Sequence, residues 1–190
     1  MRPSPLVRPV LLLLTLAAAA ALAPTPAMAQ HAQTRQGFFF SGGLGYGSMG
    51  LGCDGCEGLG REGGVNGYVT LGGTLSPHVL LGVETNGWVK SSHGSWQTLG
   101  SLMATAYFYP RTTQGLFLKA GLGGSLLIGD YNVLDQDLAS ESGLGLLVGA
   151  GYDVRIGGNT SVTPYVTYVR GSFGGAAANV FQAGLGLTLH

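Results

Sequence analysis

The chain has 190 residues, enough for one domain, with 9% charged residues and a formal net charge of zero, where ordinary soluble domains carry roughly 25% charge. No basic patch speaks for nucleic acid. Mean hydropathy is only +0.30, and no apolar run past residue 22 reaches the roughly 20 residues that a membrane-spanning helix needs.

Residues 1–29 read as a secretory signal. Arg2 and Arg8 make a positive start, Val10 to Leu22 is the apolar core, and Ala27-Met28-Ala29 is an A-x-A cleavage site that leaves Gln30 first. Without Arg2 and Arg8, seven basic residues face nine acidic ones, a net of −2. Residues 30–36 (QHAQTRQ) form a polar lead-in, and 37–190 are expected to form one domain.

Eight strands are predicted there from a hydrophobic period of two. The first covers 37–48, with Phe38, Phe40, Leu44 and Tyr46 on one face. The second covers 63–75 (Val65, Val69, Leu71, Leu75) and the third 78–90 (Val79, Leu81, Val83, Val89), joined at Ser76-Pro77; proline cannot donate to a ladder. The fourth covers 96–109 (Trp96, Leu102, Ala104, Phe108) and the fifth 115–128 (Leu116, Leu118, Ala120, Leu122, Leu126). The pattern is clearest over 142–170. Every even position from Leu144 to Val154 is apolar, and Gly157-Gly158-Asn159 supplies a hairpin turn of residues that tolerate positive φ. Val162, Pro164, Val166 and Tyr168 then resume the alternation, and the eighth strand covers 178–190 (Phe181, Ala183, Leu185, Leu187, Leu189).

Connections after strands two, four and six are tight, whereas those after one and five are long and carry Asp and Glu. Short periplasmic turns opposite longer outer loops are how outer-membrane barrels are built, and an even strand number lets a sheet close with no edge exposed to lipid. The expected fold class is all-β: an eight-stranded antiparallel up-and-down transmembrane β-barrel behind a cleavable signal peptide. Phe38, Phe108 and Tyr152 fall on the apolar face near the periplasmic ends, and Tyr46, Trp96 and Tyr168 near the outer ends, as two aromatic belts would. Many of the 35 glycines fall on the other face. Eight strands enclose an interior just wide enough for side chains to fill, so glycines such as Gly43, Gly184 and Gly186 leave room for Tyr68, Trp88, Phe117 and Tyr165, and a plugged lumen is expected.

Glu84, Lys119 and Asp153 also point inward. A lysine facing lipid at midplane would cost roughly 2–4 kcal/mol, so the three are expected to pair as a lumen ionic cluster that fixes the packing; a gate or proton path is the functional alternative. Cys53-x-x-Cys56 sits in the first long loop, where an exported chain is expected to form a disulfide. Zinc would want two more ligands, and His78 and His93 lie in other segments. The acidic loop Asp130 to Glu141 lacks EF-hand spacing and reads as solvated. His93 and Ser95 have no orienting carboxylate before Asp130, so no nucleophile–base set forms. No catalytic residue, metal site or cofactor is expected.

The segments FFFSGGLGYG (38–47), GLFLKAGLGGS (115–125), LGLLVGAGYDVRIGGNTSVTPYVTYV (144–169) and FQAGLGLTLH (181–190) resemble the small eight-stranded outer-membrane barrels, the OmpA-like and OmpX-like group. The likeness is one of pattern over most of the chain past residue 36. It implies an outer-membrane protein that meets membrane lipid, lipopolysaccharide and the barrel-assembly machinery, binds no nucleic acid, and serves a structural, adhesive or envelope-integrity role through its outer loops. Such barrels usually end on an aromatic residue that the assembly machinery reads; this chain ends Leu189-His190. The rival readings are a soluble lipocalin-like ligand-binding barrel, which needs the opposite assignment of faces, a lipid-modifying enzyme, and a narrow channel.

Overall fold

The structure, a computed structural model, describes residues 35–53, 60–92, 95–129 and 139–190. The predicted signal segment, Cys56, His93 and most of the acidic loop (130–138) lie outside the described residues, as does the side chain of Cys53.

Eight long antiparallel strands follow in order: β1 Phe38–Cys53, β2 Glu62–Ser76, β3 Val79–Ser92, β4 Ser95–Phe108, β5 Leu116–Gly129, β6 Ala139–Tyr152, β7 Thr160–Phe173 and β8 Ala176–Leu189. After Asp153, β6 resumes briefly as Val154–Arg155, which pairs with β7. Each strand pairs with the next, and β1 pairs with β8 from Phe40↔Leu189 to Cys53↔Ala176, so the sheet closes. Closure satisfies every strand edge, the condition for standing in hydrocarbon.

Alternation decides which side chains face in. Leu118 is 51% exposed while its neighbour Lys119 is 4% exposed. Leu44, Leu102, Leu146 and Leu185 face outward, whereas Tyr68, Trp88, Phe117 and Tyr165 are buried inside. A soluble barrel with an apolar lumen would show the reverse. Inward glycines make the space: a Cβ on Gly43 would stand 2.6 Å from the Tyr68 ring, and one on Gly184 2.7 Å from the Tyr165 hydroxyl.

Four local expectations are corrected. β1 runs to Cys53 instead of ending at Ser48, and β6 begins at Ala139, because the ladder continues through Gly and Ala positions that carry no hydrophobic period. The connection between β7 and β8 shrinks to Gly174-Gly175, where Gly174 takes φ +46°, a left-handed conformation that suits glycine. Neither Gly157 nor Gly158 lies in the left-handed region. That connection is longer than a two-residue hairpin turn and closes through Ile156 N–H and Gly157 N–H, both donating to Thr160 O.

Candidate functional site in the barrel lumen

Nothing in the described residues gathers three or more His, Cys, Asp or Glu in a metal-binding group. The chemistry-bearing side chains lie instead in the lumen, in layers.

At mid-height, Glu84 (β3) and Lys119 (β5) form an ion pair. Lys119 Nζ donates to both carboxylate oxygens at 2.8 and 3.0 Å. Thr70 Oγ1 (3.0 Å) and Tyr107 OH (2.8 Å) donate to Glu84 Oε2. The ammonium also sits 4.5 Å from the Tyr68 ring centre and within 6 Å of those of Tyr107 and Tyr165. Every charge here is matched and hydrogen-bonded, the condition under which a buried pair is tolerated.

Asp153 does not join that pair. It follows β6 at the mouth that holds the termini, held there by its own N–H donating to Gly115 O (2.9 Å). Its carboxylate accepts from Tyr109 OH (2.8 Å) and Thr163 Oγ1 (2.7 Å) and stands 3.4 Å from His190 Nε2. The expected three-member cluster is therefore two groups at different depths. Parity sets the face a residue takes, and the distance along the barrel axis decides whom it meets.

The mouth is lined by residues that alternation does not single out. Arg35 donates to the carbonyls of Thr112 (3.3 Å) and Gln114 (2.7 Å), and its guanidinium lies 3.6 Å over the Tyr109 ring. Burial lowers the Arg35 pKa, opposed by Tyr109 and Asp153. Burial, and then the Asp153 carboxylate, push the Tyr109 phenol well above its ordinary value, so it stays a neutral donor. Phe39 stacks on His190 at 6.2 Å. The signal for Tyr107 and Tyr109 was the odd parity of the fourth strand. Arg35 and His190 flank the strands, where periodicity is silent.

A chain of hydroxyls runs from Asp153 to Tyr68, whose ring faces Lys119. Thr163 Oγ1 meets Thr188 Oγ1 (2.9 Å), Thr188 meets Ser41 Oγ (2.9 Å), and Ser41 meets Tyr68 OH (3.0 Å). With Thr163 donating to Asp153, the others can all donate in the same direction.

Above the ion pair the lumen changes character. Asn86 and Gln182 exchange two hydrogen bonds across it (3.0 and 2.8 Å). Beyond them Met49, Trp88, Leu99, Phe173, Ala178 and Val180 form one buried apolar cluster. The Trp88 indole donates to Gly47 O (3.1 Å).

On the outside, Phe38, Phe108 and Tyr152 are exposed toward the end that holds the termini, and Tyr46 and Trp96 toward the other; Tyr168 is half-buried against Phe181.

No family description and no curated protein matches the sequence. Solved structures do match in fold. The attachment invasion locus protein Ail of Yersinia pestis aligns with a TM-score of 0.63 at 11% identity, over 81% of this chain and 99% of that one. Ail bound to the heparin analogue sucrose octasulfate gives 0.56 at 12% identity, over 80% and 99%. Neisserial surface protein A gives 0.58 at 15% identity, over 80% and 96%. The fold is that of the small eight-stranded outer-membrane β-barrels. Its apolar girdle and closed sheet give the barrel the exterior of a membrane-embedded protein.

Proposed function

We propose that the protein is a non-enzymatic outer-membrane barrel with a plugged lumen, acting in adhesion or envelope integrity through its outer loops, with residues 1–29 removed as a signal peptide and Cys53 and Cys56 joined in the first loop. The observation that carries this reading is the layered lumen. The apolar cluster around Trp88, the Glu84–Lys119 pair and the Asp153–Tyr109–Arg35 mouth succeed one another along the axis, and each is buried. The layers support a structural part for Glu84, Lys119 and Asp153. Glu84 and Lys119 bond each other and Asp153 bonds Tyr109 and Thr163, which suits fixing the packing better than proton transfer. The two sets of outward aromatics are read as interface belts that hold the barrel at one depth, in contact with membrane lipid and lipopolysaccharide; assembly machinery is a further expected partner. The outer-loop role is favoured by the likeness to Ail, whose name is that of an attachment protein.

The test replaces residues 54–60 and 130–138 with short turns. Heat-modifiable gel migration should persist, since the strands are untouched, while attachment to host cells or matrix falls to background. The same protein in planar bilayers should conduct no current above leak. Unchanged attachment, or sustained single-channel steps, would overturn the reading.

A further inference from the structure

The outside of the barrel carries an arrangement that neither the lumen nor the alternation accounts for. Arg61 precedes β2 and folds back over β1. Its Nε donates to Ser48 Oγ (3.1 Å), its Nη1 to Asn179 Oδ1 (2.6 Å) and its Nη2 to Ser48 O, and its guanidinium lies 5.1 Å from the Phe181 ring centre. Gly50 allows this approach, because a Cβ there would stand 2.9 Å from Nη1. In register, Gly50 and Arg170 flank Asn179 on either side. Neighbouring strands lie about 4.8 Å apart, so two arginines share one level on the outer surface.

Among the described residues no acid pairs with either of them. Among the same residues the hydrogen-bond partners of Arg61, Ser48 and Asn179, are neutral, and exposed Arg170 makes no hydrogen bond or ion pair. The outward positions of β1, β6, β7 and β8 hold no carboxylate; Glu62, beside Arg61 in the chain, is engaged by Lys90, and exposed Glu141 falls on the lumen parity of β6 at the start of its ladder. Cations on a lipid-facing surface are costly unless an anion meets them.

Directly beneath lies an apolar groove of about 630 Å³. The row below Arg170 pairs Tyr168 with Phe181, rings 4.7 Å apart. The next row sets Tyr46, Ala183, Val166 and Ala150 side by side. Ala183 and Ala150, with Val166 between them, make an apolar floor below the Tyr168 and Phe181 rings and beside Tyr46.

We infer that this face binds a phosphorylated, acylated lipid of the outer leaflet, with an acyl chain on the Ala183–Ala150 floor and the phosphate held by Arg61 and Arg170. Guanidinium matches phosphate in charge and in paired-donor geometry, and an aromatic rim suits the depth where chain gives way to headgroup. The inference rests on the outer-membrane placement, with the β1–β2 end facing outward.

The test uses the whole mature protein in phosphatidylcholine nanodiscs doped with bisphosphorylated lipid A, with native mass spectrometry counting retained lipid. One lipid A per barrel should survive. Retention should fall about five-fold for each arginine in Arg61→Gln and Arg170→Gln, as it should for enzymatically dephosphorylated lipid A. Ala183→Phe should abolish retention by filling the groove. Equal retention in wild type and the double arginine variant, or indifference to phosphate, would overturn the site. Heat-modifiable migration of the same samples reports the barrel reading separately: a normal band without retention sinks the site alone.

Discussion

The two halves of this lumen are filled by different chemistry within one barrel wall. Toward the end that holds the termini, two hydrogen-bonded sets, Glu84 with Lys119, Tyr107 and Thr70, and Tyr68 with Ser41, Thr188, Thr163, Asp153 and Tyr109, are packed around the rings of Phe39 and Phe117. Toward the outer end, Met49, Trp88, Leu99, Phe173 and Val180 meet through dispersion contacts alone, apart from the Trp88 indole. A polar filling is directional: each group needs a particular partner at a particular distance, and a missing one leaves a desolvated atom. An apolar filling asks only for volume.

The largest effect should come from breaking the polar half at its charge. Lys119→Met leaves the Glu84 carboxylate buried with only two neutral donors, and should cost roughly 3–5 kcal/mol. Glu84→Gln together with Lys119→Met should recover most of that, because the stranded charge is gone. Urea unfolding of vesicle-inserted protein, read by gel mobility, measures both. A double variant as unstable as the single would mean that the pair's attraction, not the stranded charge, sets the cost.

The apolar half should answer more gently. Leu99→Ala removes volume from the outer cluster and should cost roughly 2–5 kcal/mol, toward the lower end because the Met49 side chain can flex into the space. The same unfolding measurement applies. A loss larger than that of Lys119→Met would reverse the ranking of the two halves.

Much of this was legible beforehand. Leu118 and Lys119 take opposite sides because hydrocarbon admits one and not the other, and that choice propagates along each strand with period two. The same rule located Glu84 and Asp153 inside but could not say that they lie at different depths, since depth depends on strand stagger and on the break at Asp153. It also missed what closes the periplasmic mouth. Arg35 and His190 flank the first and last strands, where there is no alternation to read. The outer-face arginines were hidden for a related reason: Arg61 belongs to a loop, and only the bare backbone of Gly50 shows where it lies.

The smallest change probes whether the polar half acts as a unit. Ser41→Ala removes one hydroxyl from the middle of the chain between Asp153 and Tyr68. Thr188 keeps its bond to Thr163, so its loss is half of its pairing. Tyr68 OH loses its contact with Ser41 and keeps the ring contact with Lys119. If the bonds act independently, the cost should be about 1 kcal/mol, the net worth of one buried hydrogen bond. If the aligned hydroxyls polarise one another, the loss should exceed that, and Ser41→Ala combined with Thr163→Val should cost less than the sum of the two singles, because the first has already cut the chain that the second would cut. Strict additivity across that cycle would reduce the chain to separate contacts. It would leave the buried charges, Glu84 with Lys119 and Asp153 with its donors, as what separates the polar half from the apolar one in kind.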